Sequence, residues 1–555
     1  MRTKVGQPID QNLLDADKQS LLDLGFFQAV DITTQPGQPD GWIVQVVVKE
    51  FPIIKEIRVS GNTVVKTQAI LAAITFKPGD AFNLKSADSS RKAVESLYLK
   101  SGYYATVEDF GPLPDSPGTL SVTILEATVN QVQIKGTVRT KPSVMRHLVK
   151  TRPGDVYSKD KWSADLKRIY QSGWFDVPKD TEEPDNGDYS KVDLTAKVKE
   201  QRTGQFGVGV QVDPTSSFAG FIQLKDTNFE GSGQTVAASF LQATTGGGPS
   251  VELDYTNPFI NNQDTAFNLA VYSRLVYRFT NTAFGSSDTP TNDTRYEERH
   301  TGSQIGFSQP FTTTTSGSVS LRYEGVQTTG LSTADQVANT GFIQQDGTVG
   351  VLSLGYTNNH RDVDTDPSRG SWWNVNVEPG TADITNVAGD LAGTAGLLGR
   401  HFFNKTSFEY RGYASPWQKP RKNLDDPRRV IAFRARYGIT DGTVPFFEQY
   451  FAGGADTIRG YPDDRFWGKQ MLLTTLEYRH PLQKSLSLIG FVDYGDAWGG
   501  FSSINTFTQS SSFDGYVGYG AGVAVQVPYV GRIRLDLGID NHGNSRAHFL
   551  IGPSF

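Results

Sequence analysis

The chain has 555 residues, with 59 acidic against 53 basic residues and no cysteine. It is too long for one ordinary domain, its mild acidity argues against a nucleic-acid partner, and disulfides and thiolate catalysis are excluded. No run of some eighteen apolar residues marks a transmembrane helix, which leaves a β-barrel open, because barrel strands are short and alternate.

Met1-Arg2-Thr3-Lys4-Val5 leads straight into polar sequence, with no secretory signal. Residues 1 to about 200 then repeat themselves. A helix ending in glycine plus two aromatics recurs as Leu24-Gly25-Phe26-Phe27, Ser101-Gly102-Tyr103-Tyr104 and Ser172-Gly173-Trp174-Phe175. A turn recurs as Lys77-Pro78-Gly79-Asp80 and Arg152-Pro153-Gly154-Asp155, with Val5-Gly6-Gln7-Pro8 as a weaker first copy. Each copy reads as β-α-α-β-β. Ile57 and Val59 alternate with Arg58 and Ser60, a half-buried strand. Ala93, Val94, Leu97 and Tyr98 recur at helical spacing, and Gly102 suits a helix stop. The first copy lacks its opening strand, so we read the N-terminus as truncated, with more repeats and an export signal expected upstream. Boundaries fall at 1–50 (incomplete unit), 51–128 and 129–200. The strand after each aromatic pair is an expected sheet edge, with Tyr104, Thr106 and Val107 as residues where a partner strand could add.

From Gln201 to Phe555 the pattern alternates with period two. Phe206, Val208, Val210 and Val212 face one way and Gly207, Gly209 and Gln211 the other. Ile533, Leu535, Leu537 and Ile539 oppose Arg532, Arg534, Asp536 and Asp540. Charges on one face and aliphatics on the other are expected of a barrel with lipid outside and a polar lumen. Sixteen strands are expected, with the longest connections after odd-numbered strands, as in outer-membrane barrels.

The loop before the late strands carries Tyr450-Phe451-Ala452-Gly453-Gly454-Ala455-Asp456-Thr457, then Ile458-Arg459-Gly460-Tyr461. Asp456 is the nearest acid in sequence to Arg459. Gly490-Phe491-Val492-Asp493-Tyr494-Gly495 follows, a strand-like run with one acid. Together these resemble the two motifs of the BamA superfamily of outer-membrane assembly factors. Asn228-Phe229-Glu230-Gly231-Ser232-Gly233, Tyr255-Thr256-Asn257-Pro258-Phe259, Arg361-Asp362 with Pro367-Ser368-Arg369-Gly370, and the terminal Phe549-Leu550-Ile551-Gly552-Pro553-Ser554-Phe555 also resemble that family. The N-terminal units resemble its POTRA domains. The resemblance implies α+β POTRA repeats in the periplasm followed by a 16-stranded antiparallel transmembrane β-barrel in the outer membrane. It implies that Arg459 enters the lumen and meets Asp493; Glu477, on the preceding strand with Arg479 on the same parity, is the second candidate partner. It implies a weak seam between the first strand (Phe206, Gly207, Val208, Gly209) and the last (Ile551, Gly552, Pro553, Phe555). Pro553 has no amide hydrogen to give the ladder. The implied function is insertion of nascent barrel proteins, with periplasmic chaperones, accessory assembly proteins and membrane lipid as partners. The alternatives are a polypeptide-translocating pore of the two-partner secretion type and a TamA-like factor.

No enzyme, cofactor or metal site is expected. Asp362, Asp364 and Asp366 have calcium-loop spacing, but Pro367 and Trp373 stand where an EF-hand needs glycine and glutamate. Thr244-Thr245-Gly246-Gly247-Gly248 lacks a phosphate-binding lysine. His542 and His548 bracket a polar loop and are expected to be solvated.

Overall fold

A computed structural model describes residues 1–38, 41–176, 179–185, 188–211, 219–243, 248–278, 296–329, 343–389, 396–421, 426–500, 503–504, 507–508, 510–527 and 531–551. The chain divides into two units. One comprises Met1–Gly136, Leu148–Ile169 and Pro178–Val198; the other comprises Thr137–His147, Tyr170–Val177 and Lys199–Phe555.

The first unit is built from the repeats. The first copy has α1 (Gln11–Leu22), β1 (Phe27–Gly37) and β2 (Gly41–Glu50). The second has β3 (Glu56–Ser60), α2 (Thr67–Ala73), α3 (Leu84–Lys100), β4 (Ala105–Leu113) and β5 (Ser116–Glu126). The third has β6 (Thr128–Lys135), α4 (Pro142–Leu148), α5 (Lys159–Gln171), β7 (Lys179–Asp185) and β8 (Asp188–Lys197), of which α4 falls almost wholly within the second unit. In both complete copies the last strand is central: β3 and β6 pair with it in parallel, β4 and β7 antiparallel.

Helix α3 shows why the pattern folds this way. Asn83 caps its start by accepting from the Lys85 and Ser86 amides. Ala87, Ser90, Val94 and Tyr98 form its buried face, packed on Leu120, Val122 and Ile124 of β5. Gly102, at φ 80°, ends the turn beyond it. The Asp17, Ser90 and Asp165 side chains occupy one position of the repeat. Each binds backbone amides 14 or 15 residues earlier: Asp17 those of Arg2 and Thr3, Ser90 that of Thr75, Asp165 those of Lys150 and Thr151. Successive copies join the same way, the Leu84 amide donating to the Gly25 carbonyl and the Lys159 amide to that of Gly102.

The second unit is a closed antiparallel barrel. Its wall runs β9 (Gly204–Gln211), β10 (Ala219–Phe229), β11 (Gln234–Ala243), β12 (Ser250–Asn257), β13 (Ala266–Arg278), β14 (Tyr296–Pro310), β15 (Thr315–Thr329), β16 (Ile343–Asn359), β17 (Gly370–Gly389), β18 (Gly399–Ala414) and β19 (Val430–Gly442). A three-residue β20 (Tyr450–Ala452) pairs inside the following connection. The wall resumes with β21 (Phe466–Pro481) and β22 (Leu486–Gly499). A small hairpin, β23 (Ser503–Ile504) with β24 (Phe507–Thr508), precedes β25 (Tyr516–Val527), β26 (Gly531–Ile539) and β27 (Ser545–Ile551). The sheet closes with β27 beside β9. Setting β20 aside, sixteen strands among the described residues make the wall, as the alternation predicts. Its faces differ as expected. On β26, Leu535 is 56% exposed while neighbouring Arg534 is 4% exposed. Short turns such as 311–314 and 482–485 alternate with long connections such as 443–465.

Two turns explain their motifs. Asn228 accepts from the Gly233 amide and donates to Thr140, closing the β10–β11 turn. Asp362 accepts from the Val363, Ser368 and Arg369 amides across the β16–β17 turn. Asp366 pairs with Arg421 and Arg532, so these carboxylates serve the turn.

Candidate functional site: the lumen loop and its anchors

The connection between β19 and β21 folds back into the lumen, where Ile458, Arg459 and Tyr461 are buried. Gly460 permits this, for two reasons. Its φ is 101°, and a Cβ there would come within 2.7 Å of the Ile539 backbone. On the wall side, a Cβ at Gly538 would meet the Gly460 nitrogen at 2.5 Å. Loop and wall therefore touch backbone to backbone.

Arg459 makes the predicted contact. Its Nε and Nη2 grip both oxygens of Asp493 at 2.7 Å each, and its own amide adds a third bond at 3.1 Å. Nη1 reaches Glu477 at 3.0 Å. Two partners were not foreseen. Asp536 accepts from Nη1 at 2.9 Å, and the guanidinium lies over the Phe491 ring, 3.5 Å from its centroid. Glu477 in turn accepts from Arg479 and Arg534. Three arginines thus face three carboxylates in a buried, charge-balanced cluster spanning β21, β22 and β26. Such pairing is what allows charges to be buried at all. The alternation on β26 already put Arg534 and Asp536 on the lumen face; nothing local said that they would meet Arg459.

One expectation, a solvated His548, needs correction, and two further placements were not foreseen. Asp456, the nearest acid in sequence, turns to the wall and pairs with Arg434 and Arg436 at 3.0 Å each. Loop curvature separates it from Arg459. His548 is buried, and its Nε2 accepts from the Gly460 amide at 2.9 Å. Its position on β27 faces the lumen, which a reading confined to the neighbouring polar loop missed. Tyr461 bonds Asn541 at 2.8 Å and packs edge-on against Phe466 and Tyr516.

The start of the same connection forms another anchor that sequence reasoning missed. Phe446 and Phe447 are buried, and the Phe446 amide donates to Gln345 on β16. Glu448 accepts from Arg322 on β15 at 2.7 Å and Lys405 on β18 at 3.2 Å. Arg322 also contacts Glu324, which with Glu298 brackets His300. One connection is therefore held at Glu448, Asp456 and Arg459 against opposite stretches of wall.

At the seam, Phe206 is exposed on the outer face and Gly207 to Gly209 lie in β9, paired with β10. Ile551 ends β27; Gly552, Pro553 and Phe555 fall outside the described residues. In the first unit, β4 is an edge strand, as expected of Thr106 and Val107. Two details change its use. The Val107 amide already donates to Glu95 at 3.3 Å, and a bulge interrupts β4 between Val107 and Asp109. Tyr104 stacks on Tyr157 of the next copy, 4.6 Å between centroids.

Here Glu126, at the end of β5, accepts from the Thr63 and Val64 amides, the Thr63 hydroxyl and the Tyr98 hydroxyl. Burial opposes its charge, but these donors outweigh burial and hold the carboxyl below its usual range. Tyr98 is pushed up, first by burial and then by Glu126. Glu200 repeats the arrangement on the Arg139 and Thr140 amides.

A closed sixteen-stranded barrel with a lumen loop fixed by a buried arginine, following β-α-α-β-β units, defines an outer-membrane barrel of the POTRA-bearing class. The chain belongs to the Omp85 superfamily: the model of the Omp85 superfamily domain matches residues 228–555. The POTRA model, described as a surface antigen variable number repeat, matches residues 52–125 and 127–201. Outer membrane protein assembly factor BamA of Nitratidesulfovibrio vulgaris is 24% identical over 492 residues, covering 82% of this chain and 56% of that protein. BamA of Neisseria meningitidis is 22% identical, covering 95% of this chain and 66% of that protein. The chain thus spans a little over half to about two thirds of these relatives. The solved structure of CdiB from Escherichia coli matches over the full length of both chains with a TM-score of 0.59 at 13% identity, a likeness of fold. The protein is an outer-membrane barrel with periplasmic POTRA domains.

Proposed function

We propose that the protein folds and inserts other outer-membrane barrel proteins through a lateral seam between β9 and β27. The observation that carries this reading is the construction of the closure. β9 carries Gly204, Gly207 and Gly209, which lower its packing, and Pro553, after β27 in sequence, has no amide hydrogen to give a ladder. Weaker packing and a missing donor make this junction the cheapest to open. A nascent strand cannot meet lipid with unpaired amides, each costing several kcal/mol; an opened edge pairs them first. The partners are nascent barrel proteins, with chaperones and accessory proteins meeting the POTRA edges. The relatives named as BamA support this reading.

The test is a cysteine pair across the seam, at Cα separations of about 4.4–6.8 Å, in a chain that has no cysteine of its own. Oxidation is expected to block client insertion, and reduction to restore it. Insertion at the unlocked rate would overturn the seam mechanism. The alternative, a pore passing an extended polypeptide through the lumen, predicts that the locked barrel keeps translocating.

A further inference from the structure

We propose that the seat now holding Asp456 is an exchangeable carboxylate site, able to take an acidic side chain of an extended polypeptide in the lumen. The wall beside the loop encloses a cavity of about 530 Å³ lined by Arg411, Arg434, Arg436, Glu409 and Asp456. That volume lies within the roughly 300–1,000 Å³ range of ligand sites. The lining carries three guanidiniums against two carboxylates, an excess of one positive charge.

The seat's chemistry is displayed by its present occupant. One oxygen of Asp456 meets Arg434 and the other Arg436, each at 3.0 Å. This is a two-armed cradle for a carboxylate. Arg411 stands in the same cavity, bonded to Glu409 at 2.7 Å and stacked over Trp372. The occupant is accessible: the Asp456 side chain is 62% exposed, whereas that of Asp493 beneath Arg459 is 0% exposed. With Arg434 6% and Arg436 24% exposed, this half-open group exchanges its solvent-side carboxylate for another, because the guanidiniums stay paired throughout. A buried charge-balanced cluster does not. One loop thus has a fixed anchor at Arg459 and a replaceable one three residues earlier. A carboxylate arriving from outside would displace the Asp456 side chain from the arginines, while Arg434 Nη2 keeps its bond to the Asp456 backbone carbonyl.

The purified full chain in detergent, at low salt, is titrated with triglutamate, triglutamine and inorganic phosphate, with calorimetry as readout. Asp456→Ala vacates the seat; Asp456→Asn keeps its shape if the alanine variant fails to fold. Folding of each variant is verified by heat-modifiable migration. Triglutamate is expected to bind the vacated variant at least tenfold more tightly than the parent chain, and triglutamine not to bind. Adding Arg434→Gln and Arg436→Gln is expected to abolish the gain. Equal affinity with and without Asp456, or binding that survives loss of both arginines, would overturn the proposal. Phosphate binding more tightly than triglutamate would overturn the carboxylate assignment. No client or seam movement enters the measurement, so failure here leaves the assembly reading standing.

Discussion

At the scale of residues, Arg459 shows what the sequence tells and what it hides. Its motif and the lone acid of Gly490–Gly495 foretold the pairing with Asp493, and strand parity foretold Glu477. Asp536, Arg534 and His548 lie 75 to 89 positions further along the chain; only barrel closure brings them to the loop. The cluster is balanced three against three, so removing one member strands the others. Arg459→Ala and Asp493→Ala should each cost about 3–5 kcal/mol where the site is dry, less where lumen water enters. The double variant should cost less than the sum, because it restores balance. Thermal loss of the heat-modifiable folded form gives the three values; strict additivity would show that the groups act apart. Glu126 permits a second prediction. Its folded carboxyl lies below its unfolded value, so as pH falls the unfolded chain takes up the proton first. Its stabilisation is complete above the usual glutamate range near about 4.3, and is lost as pH falls through the depressed folded value. Glu126→Ala should destabilise the repeat unit by about 1–3 kcal/mol near neutral pH through unpaired amides. The difference from the parent should shrink in acid, as read by hydrogen exchange at Thr63 and Val64.

At the scale of elements, the repeat was legible because its markers are local. A capped helix, a glycine stop and a Pro-Gly-Asp turn need no distant partner. Strand existence in the barrel was legible for the same reason, since alternation is local. The edge strand was legible as an edge but not in its detail. Glu95, on α3, reaches across to occupy the Val107 amide, and the bulge beside it interrupts the row of donors, both common ways to blunt an edge. A client strand adding to β4 must displace Glu95. A photo-crosslinker at exposed Glu108 should capture nascent barrel proteins in cells. Glu95→Ala should raise the yield by freeing the amide, and Val107→Pro should lower it by removing the amide. Equal yields in all three would mean that clients do not use this edge.

At the scale of the molecule, the lumen loop reaches the closing strand. The loop is anchored at Glu448 to β15 and β18, at Asp456 to β19, and at Arg459 to β21, β22 and β26. Its last tie, from the Gly460 amide to His548, reaches β27, the strand at the closure. That bond requires a free lone pair on Nε2, so the His548 ring carries its proton on Nδ1. A single neutral hydrogen bond contributes about 1 kcal/mol net, roughly fivefold in an equilibrium. If the loop steadies the closing strand, His548→Ala should shift the seam toward open by about that factor. The seam-spanning cysteine pair measures this directly. Spontaneous disulfide formation samples the closed state, and alkylation of the free thiols in the reduced barrel samples the open one. In His548→Ala the alkylation rate should rise about fivefold, while a cysteine pair placed between β15 and β16, remote from the loop's final tie, should be unaffected. An unchanged rate at the seam would mean that the loop is held by the wall without holding the wall in return.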